Sequence, residues 1–320
     1  MVMATPALRS LRAMIDGELW AVGKDKALHL YNGSKVFDHF ISNNDKGLIP
    51  FLDVVGHIKN LHFHTGVIMP HSFRSALMFY FGNVGNRVGY DRNSRGFMLT
   101  SRVEERVRPE PTVEHYLKII DTIGGKRVLE TPVLTVTDDE DRKFDEKYGD
   151  MRRPYIVFIT GAQYGPSKRW PEAYFSQLAD RVVEAFGVDV NLLPGSGEES
   201  LARKICHDVT HKENVAMRFM DVRDLKVCLS RATAVVSNDT GPRHMAAALS
   251  VPTVVLLGPM DEQYTRYESE CTHVISKEVP CRPCNKKTCE KNHLCLAEIT
   301  PDEVFHKLEE ILETRSSKDH

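Results

Sequence analysis

The residue types that could do chemistry are densest in one short segment, Asn238–His244. It follows the apolar run Ala234–Ser237 and precedes a small-residue run, a pattern that predicts a strand, a tight turn and a short helix over 242–249. Gly241 lets the backbone approach a ligand closely, and Pro242 suits the first turn of a helix. Because the free N–H groups of that helix point beyond the strand end, the segment predicts a phosphate or diphosphate site. The alternative is an ordinary strand–turn–helix connection with a capping aspartate.

The side chains of this turn match the parts of such a ligand. Asp239 can accept a hydrogen bond from a sugar hydroxyl, and Thr240 and His244 can donate to phosphate oxygens. Lys168 follows a glycine-containing loop directly after a predicted strand, where it can place a point charge on phosphates. Alone, Lys168 would be interpreted as a solvated surface lysine.

The elements that must position these residues alternate between strands and helices in the C-terminal half. The predicted strands are 155–160 and 188–193, and the predicted helices are 171–186, 198–209, 222–231 and a last one from a capping box at Thr300. Such alternation predicts a parallel sheet with helices on both faces. Ligands bind beyond the carboxyl ends of such strands, which places the loops 160–168 and 194–198 beside the turn 239–244.

The N-terminal half shows a similar but weaker alternation. The predicted helices begin at Thr5, Ser72 and Thr112, and the predicted strands are 18–22, 36–41 and 67–69. Residues 126–153 are rich in charge and lack apolar periodicity, which indicates an inter-domain linker, with room for a single helical turn. The predicted organisation is a first domain over 1–125, this linker, a second domain over 154–300 and a C-terminal helix over 301–315.

Composition narrows the class of protein. A chain of 320 residues usually forms two domains, and a formal net charge of −2 gives no basic surface for nucleic acid. We find neither an apolar run long enough to cross a bilayer nor a signal peptide, so the sequence predicts a cytoplasmic protein.

Three segments resemble one family, the lipopolysaccharide heptosyltransferases (glycosyltransferase family 9), and most closely its heptosyltransferase II members. They are Asp239-Thr-Gly-x-x-His-x-Ala-Ala-Ala-Leu249, Thr160-Gly-Ala-Gln-Tyr-Gly-Pro-Ser-Lys-Arg-Trp-Pro171, and Pro70-His-Ser-Phe-Arg-Ser-Ala-Leu77 with Arg87-Val-Gly-Tyr90. The resemblance extends from residue 1 to about 312. It implies the GT-B fold, in which two Rossmann-like domains face each other across a cleft. It also implies inverting transfer of heptose from ADP-L-glycero-D-manno-heptose to the inner core of lipopolysaccharide at the inner membrane surface, without a catalytic metal.

The resemblance also assigns roles to residues. It places the donor in the second domain, with Lys168, Asp239, Thr240, Gly241 and His244 around the ADP-sugar. An acidic residue after Gly195 and Gly197, either Glu198 or Glu199, would bind ribose, although either could be a first-turn helix glutamate. Met220 would contact the base, and a core methionine is the alternative.

The acceptor is expected in the first domain, where arginines are concentrated. Arg74 is the candidate acceptor residue, because arginine suits the phosphate and carboxylate groups of an anionic glycolipid. The neighbouring segment 83–108 adds Arg87, Arg92, Arg95, Arg102, Arg106 and Arg108.

Four of the seven cysteines are clustered, as Cys281, Cys284, Cys289 and Cys295. Without a secretory signal they are not expected to form disulfides. Four thiols in fifteen residues predict either a structural Zn²⁺ site or a cluster of reduced thiols.

One feature of the family has no counterpart. Family members open with a strand ending in Gly-Asp, and that aspartate is expected to be the general base. Here Met1 lies at or just after that position, so we expect the base upstream of Met1 and can name no catalytic residue. Two alternatives stay open, an inactive sugar-nucleotide-binding protein and a GT-B sugar-nucleotide epimerase.

Overall fold

The computed structural model describes residues 1–44, 47–105, 109–151, 154–267 and 269–316. The chain divides into two compact units. The first contains Met1–Thr135 and Gln263–Tyr267, and the second contains Val136–Glu262 and the chain after Tyr267. The change from one unit to the other after Thr135 lies inside the segment 126–153 that was expected to link two domains.

The first unit contains two small parallel sheets with helices around them. Its strands are β1 (Trp20–Gly23), β2 (His39–Ser42), β3 (Thr65–Ile68), β4 (Asn86–Tyr90) and β5 (Ser101–Val103), and its helices are α1 (Thr5–Ala13), α2 (Asp25–Leu28), α3 (Leu48–Asn60), α4 (Phe73–Phe81) and α5 (Thr112–Thr122). β1 pairs with β2, and β4 lies between β3 and β5. Leu11 of α1 packs with Leu117 and Ile120 of α5, and Ile58 of α3 packs with Met78 of α4.

The second unit is built on one six-stranded parallel sheet in the order β11–β10–β9–β6–β7–β8. Its strands are β6 (Tyr155–Ile159), β7 (Asp189–Leu192), β8 (Val215–Met217), β9 (Ala234–Asn238), β10 (Thr253–Leu257) and β11 (Thr272–Ser276), and its helices are α6 (Asp138–Tyr148), α7 (Glu172–Phe186), α8 (Glu199–Asp208), α9 (Val222–Arg231), α10 (Gly241–Ala248), α11 (Leu294–Ala297) and α12 (Pro301–Ser316). The strands pair in parallel; Val157 of β6, for example, pairs with Val235 of β9. From β6 the chain adds β7 and β8 on one side of the sheet, and then β9, β10 and β11 on the other side, so the strand order reverses between β6 and β9. A ligand crevice is expected at this reversal.

The core of this unit follows the helical periodicity of the sequence. Phe175, Leu178 and Val182 of α7 are fully buried, and so are Val304 and Leu308 of α12. Helices cover the sheet because β6, β9 and β10 are buried along their whole length and require apolar cover on both faces.

Several elements differ from the expectations. The predicted linker contains the helix α6, which begins with a capping box formed by Thr137 and Glu140. Only Glu140 and Phe144 of α6 are buried, so its sequence lacks the apolar stripe that reveals a surface helix. The helix α3 and the short strands β4, β5, β8 and β11 were not predicted either. None of the helices in the described ranges has the length and apolar character needed to span a membrane.

Candidate functional site

The turn between β9 and α10 carries a buried hydroxyl at the carboxyl edge of the sheet. Thr240 occupies the N-cap of α10, but its side chain makes no capping hydrogen bond. Its Oγ1 is buried and has no hydrogen-bond partner among the described residues. A buried unpaired hydroxyl is costly, so its retention at a helix N-terminus indicates a position that an anionic oxygen fills.

Asp239 is the electrostatic centre of this turn, because it holds two cations. Its Oδ2 accepts from the Lys168 Nζ at 2.7 Å, and its Oδ1 accepts from the Arg243 Nε at 2.7 Å. The Lys168 Nζ also donates to the Asp239 main-chain oxygen at 3.0 Å. Burial alone would raise the pKa of Asp239, but the charges of Arg243 and Lys168 hold it below its ordinary value. One carboxylate between two cations leaves a net positive charge, which suits a diphosphate.

His244 lies in the first turn of α10 and is 9% exposed. The pKa of His244 lies well below its ordinary value, because the side chain is buried and, to a smaller extent, because it lies near the charge of Arg243. The imidazole is therefore neutral at physiological pH, and a neutral imidazole carries one N–H donor, a group that suits a phosphate oxygen.

Glu198 connects the two glycine-containing loops of the edge. Its Oε1 accepts from the Ala162 main-chain N–H at 2.6 Å and from Arg169 at 2.9 Å, and its Oε2 accepts from the Gly195 N–H at 3.1 Å. Glu198 is 6% exposed. Its carboxylate thus holds the loops after β6 and β7 together, while the half-buried Glu199 accepts from the Gly197 main-chain N–H at 3.1 Å.

Met220 lies between β8 and α9, beyond the carboxyl end of β8. It is half-buried, whereas Met217 packs against the core of the second unit. The structure therefore brings the predicted donor residues to one edge of one sheet, on the loops after β6, β7, β8 and β9.

Sequence reasoning missed three residues that complete this edge. Arg243 neutralises Asp239 from the next turn of α10 and is 4% exposed. Asn238 joins the ends of β9 and β6, because its Oδ1 accepts from the Trp170 N–H and its Nδ2 donates to the Thr160 oxygen. The buried Thr160 Oγ1 has no hydrogen-bond partner within the described ranges. The i, i+4 spacing of Asp239 and Arg243 was the available signal for the first of these.

The described arginines of the first unit have separate partners rather than forming one cluster. Arg74 is exposed; it donates to the Gly47 oxygen at 2.9 Å and lies 4.7 Å from the Phe51 ring. Arg92 pairs with Glu105, and Arg102 pairs with Asp91. Arg95 is fully buried and donates to main-chain oxygens, and Arg87 does the same at the Met98 oxygen. Arg106 and Arg108 lie outside the described residues.

A histidine pair in the first unit was also missed. The Nε2 atoms of His71 and His115 are 2.8 Å apart, and the Arg92 Nη1 lies 3.2 Å from the His71 Nδ1. Arginine only donates, so the His71 Nδ1 accepts and its Nε2 carries the proton toward His115. Burial is the largest cause that lowers the pKa of His115, and the neighbouring His71 is the second; together with smaller effects they bring it to about 4. Both rings are therefore neutral at physiological pH.

The candidate metal site is the cluster formed by Cys281, Cys284, Cys289 and Cys295. All seven cysteines are free thiols, and no group of three or more His, Cys, Asp or Glu side chains within the described ranges is arranged to hold a metal ion. The Cys289 Sγ instead accepts main-chain N–H bonds from Lys291 at 3.3 Å and from His293 at 3.2 Å. The structure does not support the Zn²⁺ alternative.

A parallel-sheet unit with cationic side chains at the carboxyl edge of its strands, in a chain with a second α/β unit, is typical of GT-B glycosyltransferases, and comparison with known proteins agrees. Residues 53–295 match the sequence profile described as Glycosyltransferase family 9 (heptosyltransferase). The chain belongs to this family, and it is a glycosyltransferase.

Named relatives refine this assignment. The chain is 27% identical over 273 residues to lipopolysaccharide heptosyltransferase 2 of Salmonella typhimurium, covering 81% of this chain and 78% of the relative. It is 28% identical over 276 residues to lipooligosaccharide heptosyltransferase 2 of Haemophilus influenzae, covering 78% and 77%. The solved structure of E. coli ADP-heptose LPS heptosyltransferase II matches with a TM-score of 0.86 at 21% identity, covering 99% of this chain and 96% of that one. The family resemblance and the predicted GT-B fold are thereby confirmed.

Proposed function

We propose that this glycosyltransferase moves heptose from ADP-L-glycero-D-manno-heptose to the inner core of lipopolysaccharide, with inversion at the anomeric carbon. The observation that carries the proposal is the edge formed by Lys168, Asp239, Arg243 and the N-terminus of α10. This edge combines a net positive charge with the Thr240 hydroxyl, which has no hydrogen-bond partner among the described residues, and with the first N–H groups of α10, which have no acceptor within the helix. The names of the relatives support heptose and lipopolysaccharide as the substrates.

Each donor residue has a separate task in this proposal. Lys168, Thr240 and neutral His244 contact the diphosphate, together with the main-chain N–H groups after Gly241. Glu199 is better placed than Glu198 to meet ribose, because both Glu198 oxygens are engaged between loops. Met220 contacts the adenine. As the acceptor hydroxyl attacks the anomeric carbon, its proton passes to a general base and the bond from that carbon to the diphosphate oxygen breaks. ADP departs with part of its negative charge offset by this edge.

Arg74 is proposed to bind an acidic group of the acceptor. The described residues provide it with a carbonyl and an aromatic face but no carboxylate partner, so its charge is available to an anion.

An aromatic patch lies near Arg87 and consists of Phe73, Tyr80, Phe81 and Phe97, which are between 41% and 66% exposed. We propose that this patch contacts the membrane surface that carries the acceptor. Sedimentation with phosphatidylglycerol vesicles should pull down the wild type more than Phe97→Ser. Phe40→Ser is the matched control, because Phe40 is also exposed at 43%.

The decisive experiment measures ADP binding and turnover in parallel. Calorimetry should give weaker ADP binding for Lys168→Ala and unchanged binding for Lys204→Ala, whose ammonium pairs with Glu172 on the helical surface. ADP release from ADP-heptose should require acceptor. Release without acceptor would favour the epimerase alternative, and binding without any turnover would favour the inactive binding protein. Unchanged ADP affinity in Lys168→Ala would contradict the donor site.

A further inference from the structure

The cysteine-rich segment 281–293 packs directly against the loop that carries Lys168. The Tyr164 hydroxyl donates to the Asn285 oxygen at 2.7 Å, and the Ser167 hydroxyl donates to the Lys286 oxygen at 2.6 Å. The Ser167 main-chain N–H donates to the Lys287 oxygen at 3.2 Å. Three successive carbonyls of the segment therefore hold the loop immediately before Lys168.

The same segment is tied to the loop that follows β10. The main-chain N–H groups of Cys284 and Asn285 both donate to the Pro259 oxygen, at 3.0 and 2.9 Å. The Arg282 Nε donates to the Gly258 oxygen at 2.9 Å. Because β10 and β6 flank β9 in the sheet, the segment bridges the loops on either side of the Asp239 turn.

The contact at Gly165 leaves no room for a side chain. A Cβ added at Gly165 would lie 2.4 Å from the Lys287 main-chain oxygen, well inside van der Waals contact. A main-chain oxygen held in a loop cannot swing aside as the tip of a flexible side chain can. The close approach of Gly165 to the segment is therefore a requirement of the packing between them.

The ammonium groups of Lys168 and Lys287 both lie near the ring of Tyr164 at this contact. The Lys168 Nζ lies 5.1 Å and the Lys287 Nζ 5.8 Å from the ring centroid. Two like charges near one aromatic ring repel each other, and an anion bound beside the ring would offset that repulsion. The pattern indicates a ligand with negative charge at the position where the proposed donor places its diphosphate.

We infer that the cysteine-rich segment is part of the donor site: its carbonyls position the Lys168 loop, and Lys287 is a second phosphate-binding cation. This inference rests on the proposed donor role of Lys168. It gives the segment a function that needs no metal, because the bonds that fix it to the loop are main-chain and hydroxyl hydrogen bonds.

Calorimetric titration of ADP into the full chain tests the positioning role. Gly165→Ala should weaken ADP binding about tenfold, the effect of losing roughly one well-placed charged hydrogen bond. Gly56→Ala is the matched control, because nothing lies within 4 Å of a Cβ at Gly56. Adenosine, which has no phosphate, should bind both variants as it binds the wild type. Equal ADP affinity in Gly165→Ala and the wild type would overturn the positioning role.

Lys287→Ala tests the second cation, with an expected loss in ADP affinity of about three- to fivefold. Lys291→Ala, an exposed lysine of the same segment, should bind ADP normally. If Lys168→Ala itself binds ADP normally, the proposed function fails. If Lys168→Ala weakens binding while Gly165→Ala and Lys287→Ala do not, only this further inference fails.

A second pair of variants keeps the test decisive if Gly165→Ala does not fold. Tyr164→Phe combined with Ser167→Ala removes two hydroxyl bonds to the segment and should weaken ADP binding about fivefold. Tyr155→Phe combined with Ser230→Ala removes two hydroxyl–carbonyl bonds elsewhere in the same unit, at 2.8 Å each. That control should lower the melting temperature and leave the ADP affinity unchanged. Equal ADP affinity in the two double variants would contradict the inference.

Discussion

The two units present their charges in different ways. In the second unit, Lys168, Asp239 and Arg243 are mostly buried and bonded to one another, with exposed side-chain fractions of 11%, 3% and 5%. In the first unit, Arg92 and Arg102 form ion pairs at the surface, and Arg74 meets only a carbonyl and a ring. A buried network is held in place before a ligand arrives, whereas a surface arginine must be ordered by its ligand.

This difference predicts unequal effects of mutation. Removal of one member of a buried ionic group leaves a desolvated charge without a partner. Removal of an exposed arginine takes away little more than its contact with ligand. Mutations in the buried ionic group of the second unit should therefore have larger effects than mutations of the exposed arginines of the first unit.

The largest effect is expected for Asp239→Ala. It leaves Arg243 buried without a carboxylate, so the free energy of unfolding should fall by about 3–5 kcal/mol. Urea unfolding of the wild type and the variant measures this. Asp150→Ala is the control, because Asp150 pairs with Arg218 while 67% exposed and should change stability by less than about 1 kcal/mol. Similar losses in both variants would contradict the contrast between buried and exposed pairs.

The second largest effect is expected on donor affinity, when residues of the buried turn 239–244 are changed. His244→Ala and Asp239→Ala are each expected to weaken ADP-heptose binding by about 1–3 kcal/mol, the cost of a lost hydrogen bond to a charged group. Calorimetry on the folded variants provides the measurement. His273→Ala changes a half-buried histidine on β11 and should leave the affinity as it is. Full affinity in both turn variants would remove the donor-site assignment.

The pH dependence of stability compares one histidine from each unit. Burial lowers the folded-state pKa of His244 and His115, the latter to about 4, whereas the unfolded chain titrates near the ordinary value of 6.5. The unfolded state thus binds more protons below about pH 6.5, and stability is lost as the pH falls from there. Urea unfolding at pH 7.5 and 5.0 should show a smaller loss in His244→Asn and in His115→Asn than in the wild type. Identical losses of stability in all three proteins would show that the pKa values of His244 and His115 are not lowered in the folded state.

A smaller effect is expected at Arg74. Arg74→Ala should raise the acceptor KM about three- to fivefold and leave ADP binding unchanged, because its guanidinium is exposed and singly bonded to the protein. Initial rates at varied acceptor and fixed donor concentration measure this. Arg102→Ala serves for comparison, since its charge is already paired with Asp91. An equal rise in both variants would show that Arg74 has no particular role.

The smallest effect is expected from metal removal. Among the described residues, which include Cys281, Cys284, Cys289 and Cys295, no group of three or more His, Cys, Asp or Glu side chains is arranged to hold a metal ion, so elemental analysis should find well under one equivalent of zinc. A chelator should then leave protease sensitivity and melting temperature unchanged. Stoichiometric zinc, with loosening of the segment on chelation, would restore the metal hypothesis.

The sequence by itself determined the parts of this protein that depend on near neighbours in the chain. Glycine and proline at positions 241 and 242, after an apolar run, were enough to predict the turn and helix that α10 adopts. The periodicity of α7 and α12 likewise identified Phe175 and Leu308 as buried. Such signals act over three or four residues, which is the range of helix packing and capping.

Only the tertiary structure decided which distant residues meet. Lys168 reaches Asp239 across 71 positions, Glu198 reaches Ala162 across 36, and Ser167 reaches Lys286 across 119. These contacts exist because the sheet places β6 between β9 and β7, an order that no local pattern specifies. The sequence identified the cysteine-rich segment as chemically unusual, but its position against the Lys168 loop depends on main-chain carbonyls that accept hydrogen bonds from Tyr164 and Ser167. Every residue carries such a carbonyl, so the residue types of the segment do not reveal which loop it contacts.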